Sequence, residues 1–152
     1  MKKETLIDTI SYLFIFLFLY TGGSKIIMHQ GFVSAIRKVH IFKNTVNIIS
    51  WAIPILELLL VLGLILPKSR KISLYGTAIL MVAFTIYVAY ILQYQWPHLP
   101  CSCGGILQYL TWRQHLFVNS LLTALSFAAI YIINKRQQNH FSIISRPSVN
   151  IK

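Results

Sequence analysis

The sequence of 152 residues has little acid, with 3 Asp and Glu against 14 Lys and Arg. Charged residues make up only 11% of the chain and hydrophobic residues 56%, with a mean hydropathy of +0.65. This composition excludes a disordered acidic chain, which combines high net charge with low hydrophobicity. It also excludes a soluble nucleic-acid-binding protein, because too few polar residues are present to build a cationic polar face. The composition is instead typical of a protein that lies in a membrane.

Four long apolar runs predict the architecture, at residues 6–28, 46–66, 72–93 and 116–133. One transmembrane helix requires about 20 apolar residues, so each run predicts one span. The first run is not followed by a small-residue cleavage site, which favours a retained helix over a signal peptide. We therefore predict an all-α membrane protein, with a four-transmembrane-helix bundle over residues 1–136 and a polar cytoplasmic tail over 137–152.

The positive charges predict how this bundle is oriented. With both termini inside, nine Lys and Arg lie on the cytoplasmic side and five on the outer side, so the positive-inside rule favours an N-in/C-in topology. The outward loops are then residues 29–45 and 94–115. Within the first loop, residues 31–43 have the spacing of a short amphipathic helix that lies among lipid headgroups. These features predict a multi-pass protein of a bacterial inner membrane.

The only two cysteines, Cys101 and Cys103, lie in the second outward loop. On the periplasmic side, two neighbouring thiols can be held as a disulfide. A single residue between them closes a small, strained ring, and strained disulfides tend to be labile or catalytic. Pro100 restricts the backbone before the pair, and the glycines at 104–105 allow a sharp turn after it. The pattern favours redox exchange.

Two other functions of this loop stay open. A metal site is one, because His98 and His115 lie on either side of the thiols and a Cys/His set suits Zn or Cu. Their spacing does not match a standard zinc site. A passive cross-link is the other, although a bridge that closes so small a loop stabilises the fold little.

Trp112, His115 and Asn119 share one face of the helix that begins the fourth span, because they recur at helical spacing. The face begins nine residues after Cys103. His115 is therefore placed to reach the thiol loop, where an imidazole can stabilise a thiolate or move a proton. The alternative is that the His and Trp only anchor the helix at the membrane interface.

Glu57 stands near the middle of the second span. A carboxylate at this depth costs at least about 2.5–3.5 kcal/mol on insertion scales, so it needs a partner inside the bundle or a proton. Lys25, near the outer end of the first span, is the predicted partner, and Pro54 frees a backbone carbonyl one turn before Glu57. Such a group serves either as a proton or quinone-headgroup site, or as a buried ion pair that sets the helix register.

Two sets of residues resemble a known family. The first half of the chain resembles DoxX-like membrane proteins through Gly22-Gly23-Ser24-Lys25, Phe32 and Pro54-Ile55-Leu56-Glu57. The second half is similar to the narrower MauE branch, the methylamine-utilisation membrane proteins, through Cys101-Ser102-Cys103-Gly104-Gly105, Trp112, His115 and Asn119. The resemblance covers about residues 6–133.

This resemblance implies a four-helix membrane bundle that acts in thiol oxidation or disulfide formation in exported proteins. In methylamine utilisation, the corresponding substrate is the disulfide-rich small subunit of methylamine dehydrogenase. The wider family includes subunits of thiosulfate:quinone oxidoreductases, so the resemblance also implies a membrane quinone as a partner.

We therefore expect an integral inner-membrane redox-associated protein that takes part in thiol-disulfide exchange. Cys101 and Cys103 would exchange a disulfide with a periplasmic thiol protein and pass electrons to a quinone. A non-enzymatic assembly factor that holds a client or metal is the first alternative. A small transporter subunit that uses Glu57 as a proton site is the second.

The remaining candidate residues have supporting roles in this hypothesis. His115 would tune the reactive thiolate. Trp112 would cover the thiol loop or stack on a ring. Asn119, Glu57 and Lys25 would form the polar interior of the bundle. Besides the client protein, membrane lipid is the expected partner, and no nucleic acid is expected.

Overall fold

The computed structural model describes the backbone of residues 2–39, 44–94 and 111–144, which form five α-helices. In chain order they are α1 (Lys2–Ile27), α2 (His29–Lys38), α3 (Val46–Ile65), α4 (Arg70–Tyr94) and α5 (Trp112–Ile144). The described part of the chain contains no β-strand, and the predicted all-α fold class is confirmed.

Four of the helices are long and apolar enough to cross a membrane. These candidate spans are Thr5–Ile27, Val46–Ile65, Arg70–Tyr94 and Trp112–Arg136. Each contains 20 to 25 residues, and at about 1.5 Å per residue even the shortest matches a hydrocarbon core of about 30 Å. The predicted number and order of spans are confirmed. The N-in/C-in orientation stays a prediction.

Large apolar side chains cover the outside of the bundle. Phe16, Ile79 and Phe117 are each more than two-thirds exposed. In water, so much contiguous apolar surface would mark an interaction site or an aggregation hazard. Lipid tails are as apolar as leucine and solvate this surface, so it agrees with a membrane location.

One half of the bundle is filled by a close-packed apolar core. Phe14 and Phe18 of α1 pack with Leu64 of α3 and Leu74 of α4, and all four side chains are fully buried. Phe14 and Phe18 lie in the middle of α1, Leu64 at the end of α3 and Leu74 near the start of α4. Phe14, Leu64 and Leu74 therefore belong to a packed half of the bundle, and Phe18 lies at its border with the cavity described below.

Polar contacts close the same end of the bundle. Arg70 at the start of α4 donates to Asp8 of α1, with 2.6 Å between Nη1 and Oδ1, and both side chains are partly exposed. Asn134 of α5 donates to the Tyr75 hydroxyl of α4 at 2.8 Å. These contacts join three helices at the end where the sequence predicts the cytoplasm.

Helices α3 and α4 form a tight hairpin. The Ser69 hydroxyl in the turn donates to the Gly63 carbonyl at 2.9 Å. A Cβ placed on Gly63 would lie 2.0 Å from Ser73 Oγ and 3.1 Å from Ser73 Cβ. Gly63 therefore allows α3 and α4 to approach more closely than any other residue type would.

The amphipathic helix predicted over residues 31–43 is present as α2, but it begins and ends earlier. Met28 donates its backbone N–H to Ser24 and accepts one from Phe32, so helical hydrogen bonding continues almost unbroken from α1. Ala35 and Ile36 are buried where α2 packs on α3 and α1. Residues 40–43 lie outside the described residues.

The predicted polar tail over 137–152 is also partly helical. Helix α5 continues to Ile144, eight residues beyond the predicted domain boundary at 136. No proline or glycine occurs between Trp112 and Pro147, so α5 can extend past the end of its apolar face. Residues 145–152 lie outside the described residues.

The contact at Gly63 gives a test of the α3–α4 packing. For Gly63→Ala we expect the free energy of unfolding to fall by about 1–3 kcal/mol, because the added methyl group overlaps Ser73. Unfolding of the purified protein in detergent micelles, followed by circular dichroism, measures the change.

The matched control is Gly31→Ala on α2, where an added Cβ meets nothing within 4 Å. Alanine is the better helix former by up to about 1 kcal/mol, so this variant should be as stable as the parent or more so. Equal stability of the two variants would contradict the close approach of α3 and α4.

Candidate functional site

A buried ion pair joins α1 to α3 inside the membrane-spanning bundle. Lys25 Nζ lies 2.5 Å from Glu57 Oε1, and the two side chains are 7% and 0% exposed. Lys25 is in the last turn of α1 and Glu57 is near the middle of α3. The predicted pairing of these two residues is confirmed, and it satisfies the carboxylate that the sequence left isolated among apolar residues.

Two aromatic rings complete the surroundings of the ammonium group. Lys25 Nζ lies 5.8 Å from the centroid of the Phe32 ring on α2 and 5.2 Å from that of the Phe84 ring on α4. Ring faces attract a cation, most strongly where water is excluded. One side chain of α1 therefore holds contacts with α2, α3 and α4.

The second carboxylate oxygen of Glu57 has no such partner. Glu57 Oε2 is buried and forms no hydrogen bond with the described residues. The Thr21 hydroxyl lies beside the carboxylate, but its geometry falls outside the limits of a hydrogen bond and it too is unpaired there. A Cβ on Gly22 would lie 3.2 Å from Oε2, so the glycine allows α1 to lie this close to the carboxylate.

These groups line a cavity of about 270 Å³ between the five helices. Its wall is mostly apolar, and its polar side chains include Thr21, Lys25, Glu57, His115 and Asn119. The cavity lies toward the end of the bundle opposite the Asp8–Arg70 pair, where α1 and α4 end and α5 begins. The structure therefore separates a packed half from a half that can hold a ligand.

The predicted face of α5 points into this cavity. Trp112 and His115 are 6% and 4% exposed, their ring centroids are 6.1 Å apart, and both line the cavity with Asn119. The expectation that they share one helix face is confirmed. Their burial contradicts the alternative in which they only anchor the helix at an exposed interface.

A capping box sets where α5 begins and so places this face. The Gln114 side chain accepts the Thr111 backbone N–H at 2.9 Å, and the Thr111 hydroxyl accepts the Gln114 backbone N–H at 3.4 Å. This reciprocal pairing satisfies backbone groups that a helix start leaves unpaired. It holds Trp112 and His115 in the first turn.

The thiol segment lies outside the described residues, which include neither Cys101, Cys103 nor His98. Its position in the chain is informative, since it joins the end of α4 to the start of α5 at the cavity end of the bundle. Cys103 is nine residues before Trp112, and nine residues span at most roughly 30 Å. The roles predicted for the cysteines stay predictions.

The described residues contain no group of three or more His, Cys, Asp or Glu that could hold a metal ion. The alternative of a Cys/His metal loop depends on side chains outside these ranges and stays untested.

Three contributors to the site were not identified from the sequence. Thr21 had a usable signal, because it lies one helical turn before Lys25 and so shares its face. Phe84 had none, because it is one of many apolar residues in α4 and only the packing brings it to Lys25. Tyr87, which also lines the cavity, is a third residue of this kind.

The fold and the site define an α-helical, multi-pass membrane protein with a polar group of side chains in an interior cavity. The family model described as methylamine utilisation protein MauE matches residues 3–132. Because this match covers most of the chain, the protein belongs to the MauE family. Neither a curated protein nor a solved structure matches the chain significantly.

The buried pair yields a stability prediction. For Lys25→Met we expect unfolding free energy to fall by about 3–5 kcal/mol, because a buried carboxylate would lose its cation. The double variant Lys25→Met/Glu57→Leu should recover most of this loss, because no unpaired charge remains. A double-mutant cycle from unfolding in detergent measures the coupling.

Asp8→Asn provides the comparison, because the Asp8–Arg70 pair is partly exposed and such pairs contribute only about 0–1 kcal/mol. If Lys25→Met were as mild as Asp8→Asn, the Lys25–Glu57 pair would not be the buried contact described here.

Proposed function

We propose that the protein is a membrane-bound redox protein that supports the maturation of an exported protein by disulfide exchange, in methylamine utilisation. Membership of the MauE family over residues 3–132 is the observation that carries this proposal. The matched range contains both cysteines and every residue named in the cavity wall.

The proposed exchange takes place between Cys101–Cys103, held as a disulfide, and a dithiol of the client protein. A client thiolate attacks one sulfur of the pair and forms a mixed disulfide, which the second client thiolate then resolves. The client loses two electrons and two protons, and Cys101 and Cys103 gain them as free thiols. A lipid-soluble quinone is the two-electron acceptor that we assign to the return step.

His115 supports this chemistry through its place in the chain and the bundle. It is buried in the first turn of α5, at the end of the segment that carries the thiols. An imidazole near a thiol stabilises the reactive thiolate or transfers its proton. Trp112 lies beside His115, and in this proposal its ring would cover the thiol loop.

We further propose that the thiol segment faces the periplasm of a bacterial inner membrane. The turn between α3 and α4 carries Lys68, Arg70 and Lys71, and positive-inside bias assigns such a turn to the cytoplasm. The connection between α4 and α5 is then on the opposite side, in an oxidising compartment where a disulfide persists.

Trapping tests the exchange. In Cys103→Ser or Cys101→Ser, the remaining thiolate can attack a disulfide of the oxidised client, which is the reverse of the proposed exchange. No neighbouring thiol is then present to release the adduct, so we expect a mixed disulfide with an exported protein to accumulate. Non-reducing gels of cell membranes, with and without reductant, detect the adduct, and mass spectrometry identifies the attached protein. The double variant Cys101→Ser/Cys103→Ser is the control and should form no adduct.

A different result would contradict the redox function. If both cysteines are free under all growth conditions and Cys101→Ser supports normal maturation of the client, disulfide exchange is not the activity. The same result would favour an assembly factor that holds its client without electron transfer.

Labelling tests the proposed orientation. In intact cells, after mild reduction, a membrane-impermeant maleimide should modify Cys101 and Cys103 from outside. The control is Lys68→Cys in the Cys101→Ser/Cys103→Ser chain, at an exposed position of the α3–α4 turn. It should react only after permeabilisation. Labelling of Lys68→Cys in intact cells would reverse the topology.

A further inference from the structure

A second buried apolar cluster joins three helix ends at the cavity end of the bundle. Val39, the residue that caps α2, lies in this cluster with Val88 and Ile91 of α4 and Trp112 of α5. All four side chains are at most 6% exposed. The cluster therefore fixes the end of α2 beside the end of α4 and the start of α5, to which the thiol segment is attached.

Two arginines lie next to this cluster on the outside of the bundle. Arg37 is in the last turn of α2, two residues before Val39, and Arg113 follows Trp112 in the first turn of α5. Both side chains are exposed, and neither forms an ion pair with the described residues. The cluster therefore brings two cations to the end of the bundle that carries the thiol segment.

No carboxylate side chain at this end balances the two arginines. The 3 acidic residues of the chain are Glu4, Asp8 and Glu57. Glu4 and Asp8 lie in the first two turns of α1, at the opposite end, and Glu57 is buried against Lys25. No acidic residue follows Glu57 in the sequence, so α4, α5 and the thiol segment between them carry none. The exposed charge of this end is therefore of one sign.

The position of this charge indicates a protein partner with an acidic surface. In the proposed function, the client must approach the thiol segment and so passes the ends of α4 and α5. Arginine binds a carboxylate through two parallel hydrogen bonds, and unlike charges across an interface accelerate the encounter of two proteins. Anionic lipid is less favoured, because its negative surface potential belongs mainly to the cytoplasmic leaflet, and we assign this end to the periplasm.

We propose that Arg37 and Arg113 form a docking surface for an acidic face of the exported client protein. This inference rests on the proposed function, because it requires a client that reacts at the thiol segment. The two arginines take no part in the transfer of electrons. They raise the rate at which the client and the thiols meet, and they select clients whose reacting region carries carboxylates.

Two matched peptides test the docking surface at the reacting thiol. Both carry one cysteine activated as a 2-pyridyl disulfide, within Glu-Gly repeats in one peptide and Gln-Gly repeats in the other. In the Cys103→Ser chain, the Cys101 thiolate attacks the peptide sulfur, a new disulfide forms and pyridine-2-thione leaves, whose absorbance gives the rate. In nanodiscs of zwitterionic lipid, we expect the acidic peptide to react about tenfold faster. Added salt should reduce this ratio.

Matched variants locate the charge that produces the ratio of rates. Arg37→Gln/Arg113→Gln should bring the ratio close to one, whereas Arg37→Lys/Arg113→Lys keeps the charge and should keep most of the ratio. The control Lys68→Gln/Lys135→Gln removes two exposed cations at the opposite end and should change the ratio less than about twofold. A change in the reactivity of the Cys101 thiolate cancels in the ratio, because both peptides react with the same thiolate.

Four results would overturn the inference. Three are equal rates for the two peptides, no reaction of Cys101 with either peptide, and a ratio that Arg37→Gln/Arg113→Gln leaves unchanged. The fourth concerns lipid: if phosphatidylglycerol in the nanodiscs abolishes the difference between the parent and the arginine variants, the arginines bind lipid headgroups instead.

Trapping in cells judges the proposed function separately. A trapped client together with equal peptide rates would remove the docking surface and leave the redox function. A rate difference without a trapped client would leave a surface for an acidic partner and remove the redox function.

Discussion

The contact between Lys25 and Glu57 constrains the whole bundle, because it is the buried ion pair of the described chain within the spans. Two charges in an apolar environment are tolerated only when they stay together. The end of α1 must therefore lie against the middle of α3, and Gly22 permits that approach. The Lys25 ammonium group also contacts the rings of Phe32 on α2 and Phe84 on α4, so four helices are arranged around one ion pair.

This constraint divides the bundle into two halves with different roles. Around Phe14 and Leu64, apolar side chains pack closely, and this half of the bundle stabilises the fold. Around Lys25 and Glu57, polar groups and aromatic rings enclose space instead. The thiol segment is attached to α4 and α5 at this second half. The proposed redox function would act at this second half, and the packed half would support it.

Much of the fold could be predicted from the sequence, and the reasons are local. Apolar runs predict spans because lipid leaves the backbone no partner but itself. Glu57 demanded a partner because a lone carboxylate at that depth is costly, and Lys25 was the cation within reach. Helical spacing placed Trp112, His115 and Asn119 on one face. The helix boundaries were less accurate, since α2 begins as a continuation of the hydrogen bonding of α1.

The sequence by itself thus determined the number of spans, the charged residue that needed a partner and the face of α5 that carries polar side chains. The tertiary structure decided that these groups meet in one cavity, that Phe84 joins them from α4, and that one oxygen of Glu57 is left unpaired. Periodicity describes one helix at a time. Which faces of different helices meet depends on close contacts such as those at Gly22 and Gly63, which involve residues far apart in the chain.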